Sequence, residues 1–113
     1  MMTEDRLQQL CYTYFHNSYP NLRGLLYHNY NNPPNAIQGR RLKSLGLVTG
    51  VADLTLLFHA KAYFFELKTE KGKQSQKQRD WEDKVAGQGF DYILIRNLED
   101  FKKNLHNIVG LPK

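Results

Sequence analysis

The chain has 113 residues, enough for one hydrophobic core and read here as a single domain over 1–113. Hydrophobic residues at 41% and charged residues at 24% exclude a disordered chain, and the single cysteine, Cys11, excludes an internal disulfide framework. Lys and Arg number 16 against 11 for Asp and Glu, a net charge of +5 that suits a polyanionic partner without requiring one.

Residues 3–18 are expected to be helical. Glu4 and Asp5 sit at the positive end of the helix dipole, Thr3 offers a partial cap, and Leu7, Leu10, Cys11, Tyr14 and Phe15 recur at helical spacing. Glu4 and Gln8 lie along an edge of that apolar stripe. Pro20 ends the helix. Leu25-Leu26-Tyr27 is a short apolar segment, followed by a polar loop from His28 to Asn35 that contains the breaker Asn31-Asn32-Pro33-Pro34. Tyr12, Tyr14, Tyr19, Tyr27 and Tyr30 make this half aromatic; such side chains pack in cores or stack on bases. Asn35 can cap a second helix from Ala36 to Leu45, with Gly46 as a left-handed stop and Ile37, Leu42 and Leu45 available to the core. Arg40, Arg41 and Lys43 crowd this helix without nearby acids, as a solvated face or a phosphate-binding one.

Gly50 to Lys68 reads as two hydrophobic strands joined by a tight turn, with most of its charge at the open ends. Side chains two apart on a strand share a face, so Glu66 and Lys68 lie together. A turn centred on His59-Ala60 sets Asp53 opposite Glu66; one centred on Ala60-Lys61 sets it opposite Lys68. After a polar loop, Ser75 caps a helix from Gln76 to Gly87, and Gln78 completes a Ser-x-x-Gln capping box. Gln78, Trp81, Glu82 and Val85 fall on one side of it. Phe90 to Ile95 is a third strand, and Glu99 to Ile108 a last helix carrying Phe101, Leu105 and Ile108. Strands Tyr63 to Leu67 and Tyr92 to Ile95, linked through a helix, are expected to be parallel neighbours with a right-handed crossover. The class is α/β, a mixed sheet flanked by helices.

Magnesium and manganese take oxygen ligands and keep several waters beside one or two carboxylates. Asp53 and Glu66 can supply those carboxylates and the backbone carbonyl of Leu67 a further oxygen. Lys68 would sit beside the bound water, and Glu4 would enter from the first helix as an outer ligand or water-holder. Glu-x-Lys alone is a common triplet and also describes a solvated ion pair at a sheet end. His16, His28, His59 and His106 have no ligand-like spacing, and no Ser or Cys has a base at readable distance.

Gly50-Val51-Ala52-Asp53, Glu66-Leu67-Lys68-Thr69, Lys71-Gly72 and Ser75-Gln76-Lys77-Gln78 resemble the motifs of the VRR-NUC domain, a branch of the PD-(D/E)XK nuclease superfamily. The likeness runs from Glu4 to about Arg96 and is most specific from Lys43 to Trp81. It implies a restriction-endonuclease-like core in which Asp53 and Glu66 bind Mg²⁺ or Mn²⁺, Lys68 is the catalytic lysine, Gln78 supports the site, and Glu4 matches the glutamate of the N-terminal helix. Two positions depart from the pattern: Ala52 replaces the signature proline, and Tyr30-Asn31-Asn32-Pro33 replaces an Asn-Gly-rich loop. Stand-alone members of this length are typical of phages and bacteria and look like homodimers. The implied activity is endonucleolytic hydrolysis of branched or flapped DNA, four-way (Holliday) junctions among them. Arg40, Arg41, Lys43, Lys71, Lys73 and Lys77 would hold phosphates without reading bases. A non-catalytic DNA-binding module retaining the fold is the competing expectation. With no secretory h-region and no apolar run of about 18 residues, the expected location is the cytoplasm of a bacterial or phage-infected cell, away from any membrane.

Overall fold

A computed structural model covers residues 1–113. Helix α1 (Glu4–Ser18) begins where Thr3, in extended backbone, accepts a hydrogen bond from the Arg6 amide at 3.1 Å, so Thr3 is a full cap rather than a partial one. The cap needs only that backbone and the hydroxyl, not a glutamate three residues on. Leu7, Cys11 and Phe15 are the buried residues of α1. Burial raises the Cys11 thiol to about 12, which keeps it a packing group rather than a reactive thiolate.

A 3₁₀ turn at Pro20–Leu22 leads into β1 (Leu26–His28), where the sequence alone shows only an apolar segment. Three residues are too few to display an alternating pattern. They become a strand by pairing antiparallel with Leu54–Leu56. Helix α2 (Ala36–Ser44) is capped by Asn35, whose side chain accepts from the Gln38 amide at 2.8 Å. It stops at Gly46 (φ 105), where Gly46 N–H to Lys43 O and Leu47 N–H to Leu42 O form a Schellman closure. Two of its expected core residues are not in the core: Ile37 is 71% and Leu45 70% exposed. The buried residue of α2 is Gly39, because this helix lies against the Pro33 loop rather than on the sheet.

Strands β2 (Leu54–Phe58) and β3 (Lys61–Leu67) turn at His59-Ala60, where both residues have positive φ, 50 and 65. The register Phe58↔Lys61 through Leu54↔Phe65 follows, and its next step sets Asp53 across from Glu66. A two-residue turn with left-handed backbone favours Gly or Asn, and neither residue is one. Ala60→Gly is therefore expected to raise stability by up to about 1 kcal/mol, seen as a higher urea midpoint.

Helix α3 (Gln76–Gly87) carries the chain to β4 (Asp91–Ile95), which runs parallel to β3, and α4 (Leu98–Val109) follows with Asn97 as its cap. The sheet order is β1-β2-β3-β4. Adjacent residues Phe64 and Phe65 point to opposite faces. Phe65 meets Phe101 of α4 edge to face at 5.3 Å, inside the core that Leu7, Phe15, Leu56 and Leu105 share. Phe64 meets Trp81 of α3 at 4.9 Å on the other face. The side of α3 carrying Gln78, Trp81, Glu82 and Val85 is thereby turned to the sheet, half-buried, while no residue of α3 is fully buried. No helix is long and apolar enough to cross a membrane.

Candidate active site

The ends of β2 and β3 bring Asp53, Glu66 and Lys68 together beneath the start of α3. Glu66 is fully buried and carries a hydrogen bond on each oxygen: Oε1 accepts from the Tyr92 hydroxyl at 3.0 Å and Oε2 from Gln78 Nε2 at 3.0 Å. Lys68, 7% exposed, holds its Nζ 3.9 Å from Glu66 Oε2 and 3.8 Å from Glu4 Oε1. The first turn of α1 thus reaches the site, with Glu4 half-exposed at its rim. Asp53 Oδ2 accepts from the Leu67 amide at 2.7 Å. Burial raises the Glu66 carboxyl from 4.5 to about 8, and the neighbouring Asp53 charge adds to the rise; Tyr92 and Lys68 pull the other way. Burial and the Glu66 charge also push the Tyr92 hydroxyl upward, so it stays a donor.

Gln78 uses both ends of one amide. Its Oε1 accepts from the Ser75 amide at 2.8 Å, completing the capping box, while Nε2 reaches Glu66. Capping and support of the site are one constraint here, because the helix start fixes where the amide nitrogen points.

The loop before Asp53 is stapled from β1 and its following loop. Asn29 N–H donates to the Asp53 carbonyl at 2.8 Å, Asn29 Nδ2 to Ala52 O and Thr55 Oγ1, and Asn31 Nδ2 to Val51 O. Ala52, in the place of the signature proline, is fully buried. Gly50 has φ 89, and a Cβ there would stand 2.7 Å from the Lys77 backbone at the start of α3. Gly50→Ala is expected to cost about 2 kcal/mol or more, from the left-handed backbone and the clash together, and to lower the urea midpoint accordingly.

A polar cleft of about 250 Å³ opens on these groups, lined by Glu4, Asn32, Asp53, Ser75, Lys77 and Gln78 among others, with no hydrophobic residue in its wall. Of the expected phosphate-binding cations, Lys77 is in that wall. Lys71 and Lys73 are exposed on the loop after β3, and Arg40, Arg41 and Lys43 are exposed on α2, outside the cleft lining. A larger groove between α1 and β1, about 500 Å³ and lined by Tyr12, Tyr27 and His28, lacks convergent charge. There Gln8 pairs with His28 at 2.9 Å rather than extending the Glu4 edge toward Lys68.

Several contributors escaped the sequence reading. Tyr92 and Gln74 reach the site from β4 and from the loop before α3, while Arg96 Nη1 donates to the carbonyls of Thr69, Glu70 and Gly72 and shapes the lysine-bearing loop. Nothing local marks Tyr92. Only the parallel register Phe64↔Tyr92 and Glu66↔Leu94 brings it near the carboxylate.

No group of three or more His, Cys, Asp or Glu stands close enough to hold a metal ion. The Asp53 and Glu66 carboxyls do converge, and burial first, with repulsion from the Asp53 charge second, holds Glu66 well above its ordinary range. A divalent cation would relieve that repulsion, and such ions need no more than one or two carboxylates beside water and phosphate oxygens. The donor set fits Mg²⁺ or Mn²⁺.

This arrangement places the chain among α/β domains with a mixed sheet and a polar site at the end of its central hairpin. Among solved structures it is similar to a VRR_NUC domain protein, with a TM-score of 0.76 over 100% of this chain and 93% of the other. Identity is 15%, so the likeness is one of fold, and the fold is that of a VRR_NUC domain. No protein-family model and no curated protein matches the sequence.

Proposed function

We propose that the protein is a divalent-metal-dependent endonuclease that hydrolyses DNA phosphodiesters in branched or flapped substrates, four-way junctions among them. The observation that carries this reading is the fully buried Glu66 beside Asp53 and a nearly buried Lys68, joined through Asp53, Gln78 and Glu4 to the wall of an entirely polar cleft. Burying these ionisable groups is costly, and groups kept at such a cost cluster at functional sites. A solvated ion pair at a sheet end would be exposed, and this set is not.

Asp53 and Glu66 would hold Mg²⁺ or Mn²⁺. The Leu67 carbonyl is suited to join them: Lys68 N–H bonds to Ile95 on β4, so Leu67, one residue back, turns its amide and carbonyl to the Asp53 edge. When bound, the metal supplies a water of lowered pKa and neutralises charge on the phosphate. Lys68 holds its ammonium over the reacting phosphate and stabilises the added negative charge. Gln78 fixes Glu66, and Glu4 restrains Lys68 or a water at the rim. Lys77 meets the phosphate backbone at the mouth, with Lys71, Lys73, Arg40, Arg41 and Lys43 extending the contact. A homodimer would present paired active sites, as paired cuts in a junction require.

The test is a panel of linear duplex, single strand, flap and four-way junction, each with Mg²⁺, Mn²⁺ or EDTA, using the wild type and Asp53→Ala, Glu66→Ala and Lys68→Ala. Cutting of flap or junction in metal, lost in EDTA and in all three variants, is expected. Salt-sensitive binding with no cutting under any condition would instead identify a non-catalytic DNA-binding module.

A further inference from the structure

We propose that Tyr92 is a positioning residue for Glu66, its proton directed by a hydrogen-bond relay that starts at Glu82. The proposal rests on the metal-site reading above and adds how the carboxylate is oriented. Glu82, when ionised, can only accept hydrogen bonds, and Gln74 Nε2 donates to its Oε1 at 3.0 Å. That contact settles which end of the Gln74 amide faces this corner: the nitrogen, not the oxygen. The same nitrogen also donates to the Tyr92 hydroxyl oxygen at 3.3 Å. A phenol has one proton. With its oxygen accepting from Gln74, that proton is committed to Glu66 Oε1 at 3.0 Å.

Gln78 serves the other oxygen, so Glu66 is held by one donor on each side and its carboxylate plane is oriented by both. Lone pairs remain on both oxygens for a cation. Trp81, whose ring centre lies 6.1 Å from that of Tyr92, backs the phenol ring. The relay joins groups from α3, the loop before it, β4 and β3, and its direction is set at Glu82. Partners of this kind, behind the ligand itself, tune metal affinity by about 10- to 100-fold when altered.

The experiment compares wild type, Tyr92→Phe, Glu82→Gln, the Tyr92→Phe/Glu82→Gln double variant and Glu66→Gln. Mn²⁺ affinity is measured by calorimetry and by quenching of Trp81, the one tryptophan of the chain. Tyr92→Phe is expected to weaken Mn²⁺ binding about 10-fold while thermal unfolding moves little. Glu82→Gln can donate, which lets the Gln74 amide reverse and draw the Tyr92 proton away from Glu66, so a smaller loss is expected. The double variant should match Tyr92→Phe alone, because Glu82 acts only through the hydroxyl. Wild-type affinity in Tyr92→Phe, with affinity lost in Glu66→Gln, would overturn the relay and leave the metal site standing. Additive losses in the double variant would remove Glu82 from it. Equal Mn²⁺ binding by wild type and Glu66→Gln would overturn the metal site and the relay together.

Discussion

Lys68→Ala is expected to lower single-turnover cleavage in Mg²⁺ by at least about 100-fold, with the far-UV circular dichroism spectrum retained. Lys68 is 7% exposed and its ammonium lies within 4 Å of both Glu66 and Glu4, a position that Lys77, the cation in the cleft wall, does not share. Lys77 is exposed at the mouth and can hold substrate without replacing a charge placed at the carboxylates. Lys68→Arg provides a second reading. The guanidinium keeps the charge but is planar and broader than an ammonium, and the gap between Glu4 and Glu66 is bounded on both sides. Activity in Lys68→Arg should therefore stay well below wild type. Undiminished cutting by Lys68→Ala would remove the lysine from the chemistry and most of the proposed function with it.

In EDTA, Asp53→Asn should make the protein more stable above neutral pH, by about 1–2 kcal/mol at pH 8, while abolishing cleavage in metal. The sign follows from Glu66, whose carboxyl is raised from 4.5 to about 8 by burial first and the Asp53 charge second. A raised carboxyl binds its proton more tightly in the folded state than in the unfolded one. Its contribution to stability is full below pH 4.5 and is lost as pH rises through about 8. Asparagine at 53 can still accept from the Leu67 amide through Oδ1, and its Nδ2 can donate toward Glu66 where the native residue repels it. Urea unfolding at pH 5 and pH 8 in EDTA should show the wild type losing stability across this range and Asp53→Asn losing less. Saturating Mg²⁺ should narrow the difference for the wild type alone, because a cation between two carboxylates does what the substitution does. An unchanged pH dependence in Asp53→Asn would show that Asp53 is not the charge that Glu66 senses.

Much of the fold was legible because it is written in local rules. The caps at Asn35 and Ser75 and the stop at Gly46 each depend on one or two side chains and a few φ and ψ values, all adjacent in the chain. The hairpin was legible to within one residue, and the two candidate turns left Asp53 opposite either Glu66 or Lys68. The left-handed backbone of His59 and Ala60 resolved it, since a two-residue turn with Phe58 paired to Lys61 allows a single register. Where the reading failed, the cause was long-range. Leu26–His28 is too short to announce itself, and Ile37 and Leu45 satisfy a helical stripe on a helix that does not pack on the sheet.

By itself, the sequence determined the four helices, the strands of the central hairpin and the strand after α3, the caps at Asn35 and Ser75, and the side of each strand on which the charged residues fall, because nearest-neighbour geometry is enough for those. It also placed Asp53, Glu66 and Lys68 in one neighbourhood, since a hairpin is the shortest route between distant residues. Only the tertiary structure decided that Glu66 is fully buried, that Glu4 reaches Lys68 from α1, and that Tyr92 and Gln78 hold opposite oxygens of one carboxylate. Those facts depend on how α1, α3 and β4 pack on the central hairpin. Packing is set by the summed apolar contacts of the whole core, in which no single residue carries a readable sign.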